Sequence, residues 1–409
     1  KVIQDTADAS QSIEFDHDRF EIVQPDFELP AEGLGIRWPD PPLEQEFRLH
    51  TQKLKAAEAF ASANQLDRII IDSPRPRLGL VTTGKSHADT LQALTDLGIS
   101  TERAGEIGIR LYKVGMSWPL EAEGIRRFAD GLEEILVIEE KRGVIEPQLK
   151  EQLFVGGGEF RPVVVGKHDE HGDWLLPSSG ELTAATVARA LGTRLARFYT
   201  SPDIDERLGF LARKDDAVQA MAGNGGRLPH FCSGCPHNTS TRVPEGSQAI
   251  AGIGCHFMAA WMGRNTETYT QMGGEGATWI GRAPFTDTEH VFQNLGDGTY
   301  AHSGSLAIRA AVAAGVNITY KILYNDAVAM TGGQPVEGGL STGQVAHQLV
   351  AEGVRPVVIV SDHPEKYAGN NDVPDGVAIH HRQELDRLQL ELREQPGVSA
   401  LIFDQTCAA

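Results

Sequence analysis

Two stretches of this chain, 78–139 and 291–403, alternate short apolar runs with amphipathic segments, and that alternation restricts the fold more than any other feature. In the first stretch, strand patterns over 78–83, 109–114 and 135–139 are separated by helical patterns over 86–97 and 121–132, and another helix follows at 146–153. In the second, strand patterns at 291–295, 318–324, 357–360 and 400–403 enclose helical patterns over 303–314, 343–351 and 381–393. Strands that recur with a helix between them build parallel sheets, because a parallel crossover needs a dozen or more residues. The expected fold class is α/β, with two open, mainly parallel-sheet domains. In such sheets ligands settle beyond the carboxyl ends of the strands.

With 409 residues the chain exceeds one ordinary core. Residues 1–48 are Pro-rich and weakly periodic, as in Trp38-Pro39-Asp40-Pro41-Pro42, and are expected to form an extended connecting segment. A first α/β domain is expected over 49–165, opened by a helix at 49–66. A break at Gly156-Gly157-Gly158 and helices at 182–198 and 203–222 suggest a helical bridge over 166–228, and the second domain occupies 229–409. With 37 basic against 56 acidic side chains the net charge is -19, which argues against nucleic-acid binding through phosphates. Apolar runs fall far short of the ~20 residues of a membrane span. The start at Lys-Val-Ile carries neither Met nor a secretory leader, so a segment of a larger cytoplasmic protein is expected.

The chemistry concentrates in the second half. Gly296-Asp297-Gly298 follows one strand and Asn325 follows the next, which places Asp297 and Asn325 at neighbouring strand ends. Two oxygen ligands there, with the carbonyl of Ala327 as a third, suit a hard cation such as Mg²⁺. Gly298 permits close approach of a phosphate, and a helix starting near Ser303 would aim its amides at it. The four cysteines, Cys232, Cys235, Cys255 and Cys407, read as C-x2-C-x19-C closed by a distant fourth. Spacing alone leaves zinc and an iron-sulfur cluster open, since both accept four thiolates. The neighbouring Asp297 and Asn325 favour a redox cluster.

Other features are less specific. Residues 79–86 spell G-x4-GK[ST], and 135–140 mimic an apolar strand with an acidic end, so a zinc-stabilised nucleotide-binding module or NTPase is the competing reading. Against it, the strand pattern runs through the motif. Histidines at His237, His256, His302 and His363 lie near strand or loop ends, His256 beside Cys255 and His302 near a helix start. The Gly-rich loops around Gly274 and Gly332 either line a ligand or turn the chain.

Three runs, FCSGCPHNTSTRVPEGSQAIAGIGCH, NLGDGTYAHSGSLAIRAAVAAGVNITYKILYNDAVAMTGGQ and IFDQTC, resemble the indolepyruvate ferredoxin oxidoreductases, within the 2-oxoacid:ferredoxin oxidoreductases. Earlier segments such as GLGIRWPDPPLEQEFRLH and LGLVTTGKSHADTLQAL also resemble that family, with the large fused bacterial form nearest in pattern. The resemblance implies a transketolase C-terminal-like domain at 49–165 and a thiamine pyrophosphate-binding domain at 229–409. It implies that Cys232, Cys235, Cys255 and Cys407 hold a 4Fe-4S cluster, and that Asp297, Asn325 and the Ala327 carbonyl hold the Mg²⁺ of thiamine pyrophosphate. Ile253, Gly254, Cys255 and His256, then Gly274, Glu275, Gly276 and Ala277, Gly298 with Thr299, and Ala329 with Met330 match loops that contact the cofactor. The implied activity is oxidative decarboxylation of indolepyruvate or another arylpyruvate to an acyl-CoA, with coenzyme A as co-substrate and electrons leaving through the cluster to ferredoxin. The resemblance also implies an oligomer with pyrimidine-binding and gamma-type domains or subunits that this chain lacks, the former before Lys1 and the latter after Ala409. The acid that activates the cofactor is expected there.

Overall fold

The computed structural model describes Ser10, Asp16 and residues 21–155, 161–223, 229–369 and 372–408. The triple-glycine break at 156–158 lies outside them. The chain divides into two compact units, Lys1–Asn224 and Gly225–Ala409.

In the first unit a helix α1 (Pro42–Arg48) continues through a π-helical turn, Leu49–Lys53, into α2 (Leu54–Ala63), so the helix expected at 49–66 starts about two turns earlier, at Pro42. Pro41 and Pro42 set that start, because proline is tolerated where a helix has no amide bond to lose. The sheet has the order β1-β3-β2-β4-β5, with β1 (Arg68–Ile71), β2 (Leu78–Thr83), β3 (Ile109–Val114), β4 (Glu134–Ile138) and β5 (Val163–Val165). Only β1 runs antiparallel, an edge strand whose RIII run follows a helix too closely to stand out in the sequence. Around it lie α3 (Lys85–Asp96), α4 (Thr101–Ile107), α5 (Ala122–Ala129), α6 (Ile145–Val155), α7 (Ala184–Leu195) and α8 (Pro202–Gly223).

Alternation along the strands separates two apolar layers. Leu80, Leu111 and Leu136 pack with α3, α4 and α7 on one face, while Val81, Tyr112 and Val137 pack with α5 and α6 on the other. Each fully buried side chain of this size stabilises the fold by about 1.5–3 kcal/mol. The stretch expected as a bridge contributes directly to this core through Leu176, Leu182, Val187 and Leu191. Arg194 on α7 donates from Nε and Nη2 to Glu134 at the head of β4, both at 2.5 Å.

Residues 79–83 lie inside β2, and 79–82 pair with β3 on one side and β4 on the other. A side chain at Gly79 would meet Leu132 Cδ1 at 2.5 Å and Phe128 Cζ at 2.7 Å, so this glycine serves packing. Lys85 donates to Asp89 Oδ2 and the Leu182 carbonyl, both at 2.9 Å. A phosphate loop would leave the strand at its first glycine, and this strand does not.

The second unit is a seven-stranded sheet in the order β11-β10-β12-β9-β8-β6-β7, parallel throughout. Its strands are β6 (Ala249–Ile250), β7 (Thr266–Glu267), β8 (Val291–Gly296), β9 (Ile318–Tyr324), β10 (Val357–Ser361), β11 (Ala378–His381) and β12 (Val398–Asp404). Helices α9 (His237–Ser240), α10 (Ala277–Arg282), α11 (Asp297–Thr299), α12 (Ser305–Ala314), α13 (Thr342–Ala351) and α14 (Leu385–Arg393) complete it. Ile318, Tyr320 and Ile322 of β9 face the core formed with α10, α12 and α13, and Leu323, Leu401 and Phe403 face α14. The helix after β8 begins at Asp297, before the start expected near Ser303, and reaches α12 through a π-helical turn, Tyr300–Gly304. No helix among the described residues is long and apolar enough to cross a membrane.

Candidate functional site

β8 and β9 are neighbours in register, with Gly296 opposite Leu323, so the residues that leave them emerge side by side. Asp297 Oδ1 accepts from the Gly298 amide at 2.8 Å, and Oδ2 accepts from the amides of Asn325 at 3.0 Å and Asp326 at 2.8 Å. The carboxylate is 8% exposed. Burial raises its pKa, the three amides oppose that rise, and nearby Asp326 adds to it. No basic side chain is among the groups acting on it. A buried negative charge held by dipoles alone is a place where a cation stabilises the fold. Asn325 is 6% exposed, and its Oδ1 accepts from the Ala327 amide at 3.2 Å.

These residues floor a cavity of about 470 Å³ at the carboxyl end of the sheet. Its walls include Ile253, Gly254, Cys255, His256, Gly298, Thr299, Ala327, Ala329 and Met330. A side chain at Gly298 would make only ordinary contact, 3.6 Å from Val328 Cγ2. Packing within the chain therefore does not demand glycine there; room for a ligand would. Thr299 donates from Oγ1 to the Ile253 carbonyl at 3.4 Å, which ties the helix start to the cysteine segment.

Gly274, Glu275, Gly276 and Ala277 do not line this cavity. Glu275 is fully buried, accepting from the Gly273 amide at 2.7 Å while its Oε1 has no partner. Burial raises its pKa. Gly276 has φ +90°, and a Cβ there would overlap Tyr320 Oη, so the glycine locks the loop against β9. Met272 of the same loop does reach the cavity, as do Val328, Val336 and Glu337. Sequence reasoning missed them because they belong to loops without periodicity, and a wall residue there has no local signature.

His237 and His256 are 3% and 2% exposed, with ring centroids 5.7 Å apart. Burial holds His237 down to about 4 and, with His237 beside it, His256 down to about 3, so both rings are neutral near pH 7. His256 Nε2 has no partner. His302 lines the cavity from an exposed position, with Nδ1 2.6 Å from Ser303 Oγ. His363 is also exposed and pairs with Glu365 at 2.9 Å, outside the cavity lining.

The four cysteines are free thiols on three segments that converge. The Cys235 amide donates to the Cys232 carbonyl and the Cys407 amide to the Asn325 carbonyl, each at 3.2 Å. A Cβ on Gly234 would stand 3.8 Å from Ala408 Cβ, so the C-x2-C turn abuts the end of the chain. Burial raises the Cys235 and Cys255 thiols, and neighbouring cysteines, Cys407 among them, raise both further. Among the described residues no group of three or more His, Cys, Asp or Glu is disposed around a single ion. Four thiols are a ligand set that zinc and iron-sulfur clusters both use.

Residues 67–221 match the model of the indolepyruvate ferredoxin oxidoreductase middle domain, and 252–402 match the C-terminal TPP binding domain of thiamine pyrophosphate enzymes. Over these two stretches the chain is similar to the indolepyruvate ferredoxin oxidoreductases and to the thiamine pyrophosphate enzymes. Subunit IorA of the indolepyruvate oxidoreductase of Thermococcus kodakarensis is 26% identical over 81% of this chain and 49% of that subunit. The corresponding subunit of Methanothermobacter marburgensis is 27% identical over 70% of this chain and 44% of its own length. The chain spans about half the length of the curated relatives it matches. A 2-oxoglutarate:ferredoxin oxidoreductase from Magnetococcus marinus, solved with 2-oxoglutarate, coenzyme A and succinyl-CoA, aligns at 18% identity over 45% of this chain and 66% of that one. Its TM-score is 0.35, too low to carry an argument. The α/β fold class of the chain stands on its own two sheets.

Proposed function

We propose that the second unit holds the diphosphate half of a thiamine pyrophosphate site and the first electron acceptor of a 2-oxoacid:ferredoxin oxidoreductase. The substrate would be indolepyruvate or a related arylpyruvate, the acyl acceptor coenzyme A and the electron acceptor ferredoxin. One observation carries the reading: Cys255 stands in the wall of the cavity that Asp297 and Asn325 floor, while also belonging to the four-thiol set. Electron acceptor and anion site would then be one side chain apart.

Bound thiamine pyrophosphate supplies the electron sink for decarboxylation of a 2-oxoacid, and a four-iron cluster accepts electrons singly. The chain's own residues orient and shield. Asp297 is fixed by three amides before any cation arrives, so it loses little freedom on binding one. Asn325 Oδ1 and the Ala327 carbonyl would complete the protein's share of Mg²⁺ coordination, with diphosphate oxygens filling the remainder. Gly298 leaves room for the diphosphate. Neutral His237 and His256 close the floor without adding charge beside the thiolates. The cofactor-activating acid, the coenzyme A site and the onward partners would come from pyrimidine-binding and gamma-type domains or subunits.

Iron and acid-labile sulfide, measured per chain in the anaerobically purified enzyme, test the reading. About four of each are expected. Stoichiometric zinc without sulfide would contradict it.

A further inference from the structure

An anionic ligand in this cavity meets an unfavourable surface. Among the described residues the lining holds no Lys or Arg, and two of its side chains, Asp297 and Glu337, are carboxylates. A cation on Asp297 offsets part of that repulsion. The side-chain N–H donors are few, and all but one are withdrawn: Asn325, His237 and His256 are buried. The hydroxyls are committed, Thr299 to the Ile253 carbonyl and Thr331 to the Val328 carbonyl and Gln334 Oε1.

We infer that His302 is the side chain that grips an anionic oxygen of the ligand through its Nε2–H, an inference that rests on the thiamine reading above. His302 is exposed, lines the cavity and sits on the π-helical turn that follows Asp297. Its Nδ1 is already engaged with Ser303 Oγ at 2.6 Å. With the hydroxyl donating to Nδ1, the ring carries a hydrogen on Nε2, the atom left for a ligand. Ser303 is held in turn: a Cβ on Gly273 would come within 2.3 Å of Ser303 Oγ, so the loop carrying Met272 closes over that hydroxyl. The geometry thus fixes one ring nitrogen and leaves the other open. The anion is a diphosphate oxygen of the cofactor or the carboxylate of the 2-oxoacid, which share the same hydrogen-bond chemistry.

The test compares wild type, His302→Ala and His302→Gln in the complete enzyme, reading Mg²⁺–thiamine pyrophosphate affinity by calorimetry and the kinetics of indolepyruvate oxidation. Gln retains an N–H near the position of Nε2. If the ligand anion is the diphosphate, Ala weakens cofactor binding by about tenfold or more and Gln restores most of it. If it is the substrate carboxylate, cofactor affinity stays the same while Ala raises KM by a similar factor with kcat little changed, and Gln again rescues. Unchanged cofactor affinity together with unchanged KM in His302→Ala overturns the inference and leaves the cavity assignment standing. Wild-type enzyme that binds no thiamine pyrophosphate overturns the cavity assignment, and this inference with it.

Discussion

Both units contain the same local construction: a buried central strand, a glycine-bearing joint and a helix starting at the strand's carboxyl end. At the first joint, after β2, the polar side chains are largely consumed by the chain. Lys85 is paired with Asp89 and a carbonyl, Thr82 donates to the Tyr112 carbonyl at 3.0 Å, and the Glu140 carboxylate accepts from the Leu182 amide. The buried Ser86 hydroxyl is the exception. At the second joint, after β8, a buried carboxylate is held by backbone amides, and among the described residues His256 Nε2, Glu275 Oε1 and both polar atoms of the Asn294 side chain are buried without partners. The first joint spells a nucleotide motif and has little need of a ligand. The second spells a turn and leaves charge and polarity unbalanced. Unbalanced buried polarity is the better guide to a site than spelling.

The largest effect that would sharpen this contrast is in the cysteine set. Under the proposed reading Cys407→Ser should abolish assembly of a complete four-iron cluster, read as loss of iron and sulfide and of visible absorbance, because it would remove one of four corner ligands. Retention of full iron content would break the assignment of Cys407. Next comes Asp297→Asn, which keeps the shape but removes the charge. Weakening of Mg²⁺–thiamine pyrophosphate binding by more than about tenfold is expected from calorimetry. In the first unit, Leu136→Ala should destabilise by about 2–5 kcal/mol in denaturant unfolding, since the side chain is fully buried in the layer shared with α3 and α7. Cofactor affinity measured under folding conditions should not follow.

Much of the architecture was legible because central strands are continuous apolar runs and their crossover helices are amphipathic. β5, β6, β7 and β11 were not legible: two to four residues carry too little periodicity, and they pair only because a longer strand is already in place. The helix start at Asp297 was misplaced because Gly-Asp-Gly favours turns locally, and the amide-binding carboxylate that stabilises the native joint depends on Asn325 and Asp326 from the next strand's end. At the site, the ligand candidates were readable as residue types at strand ends. The burial of Glu275 and the inward loop carrying Met272 were not, since both are set by packing against β9 and the helix after β8.

A subtler contrast lies in buried lysines. Lys321 on β9 is fully buried, donating to the Arg242 carbonyl and Gln389 Oε1 at 2.7 Å each, and no carboxylate among the described residues bonds to it. Burial, reinforced by Arg264, lowers its pKa to about 7. An unfolded lysine titrates near ~10.4, so between about pH 7 and that value the unfolded chain binds the extra proton. Stability of the second unit should therefore rise with pH across that window and level off below about pH 7. Lys321→Met should flatten the rise relative to wild type, as followed by denaturant midpoints at several pH values. Parallel pH profiles for the two proteins would contradict the lowered pKa.

The most direct measurement is a crossed titration. Wild type, Asp297→Ala and Lys85→Met are each titrated by calorimetry with thiamine pyrophosphate plus Mg²⁺, and separately with ATP plus Mg²⁺. Thiamine pyrophosphate binding should require Mg²⁺, fall beyond detection in Asp297→Ala and persist unchanged in Lys85→Met, with no ATP binding that depends on Lys85. Thiamine pyrophosphate binding that survives Asp297→Ala, or ATP binding that disappears with Lys85, would contradict the account.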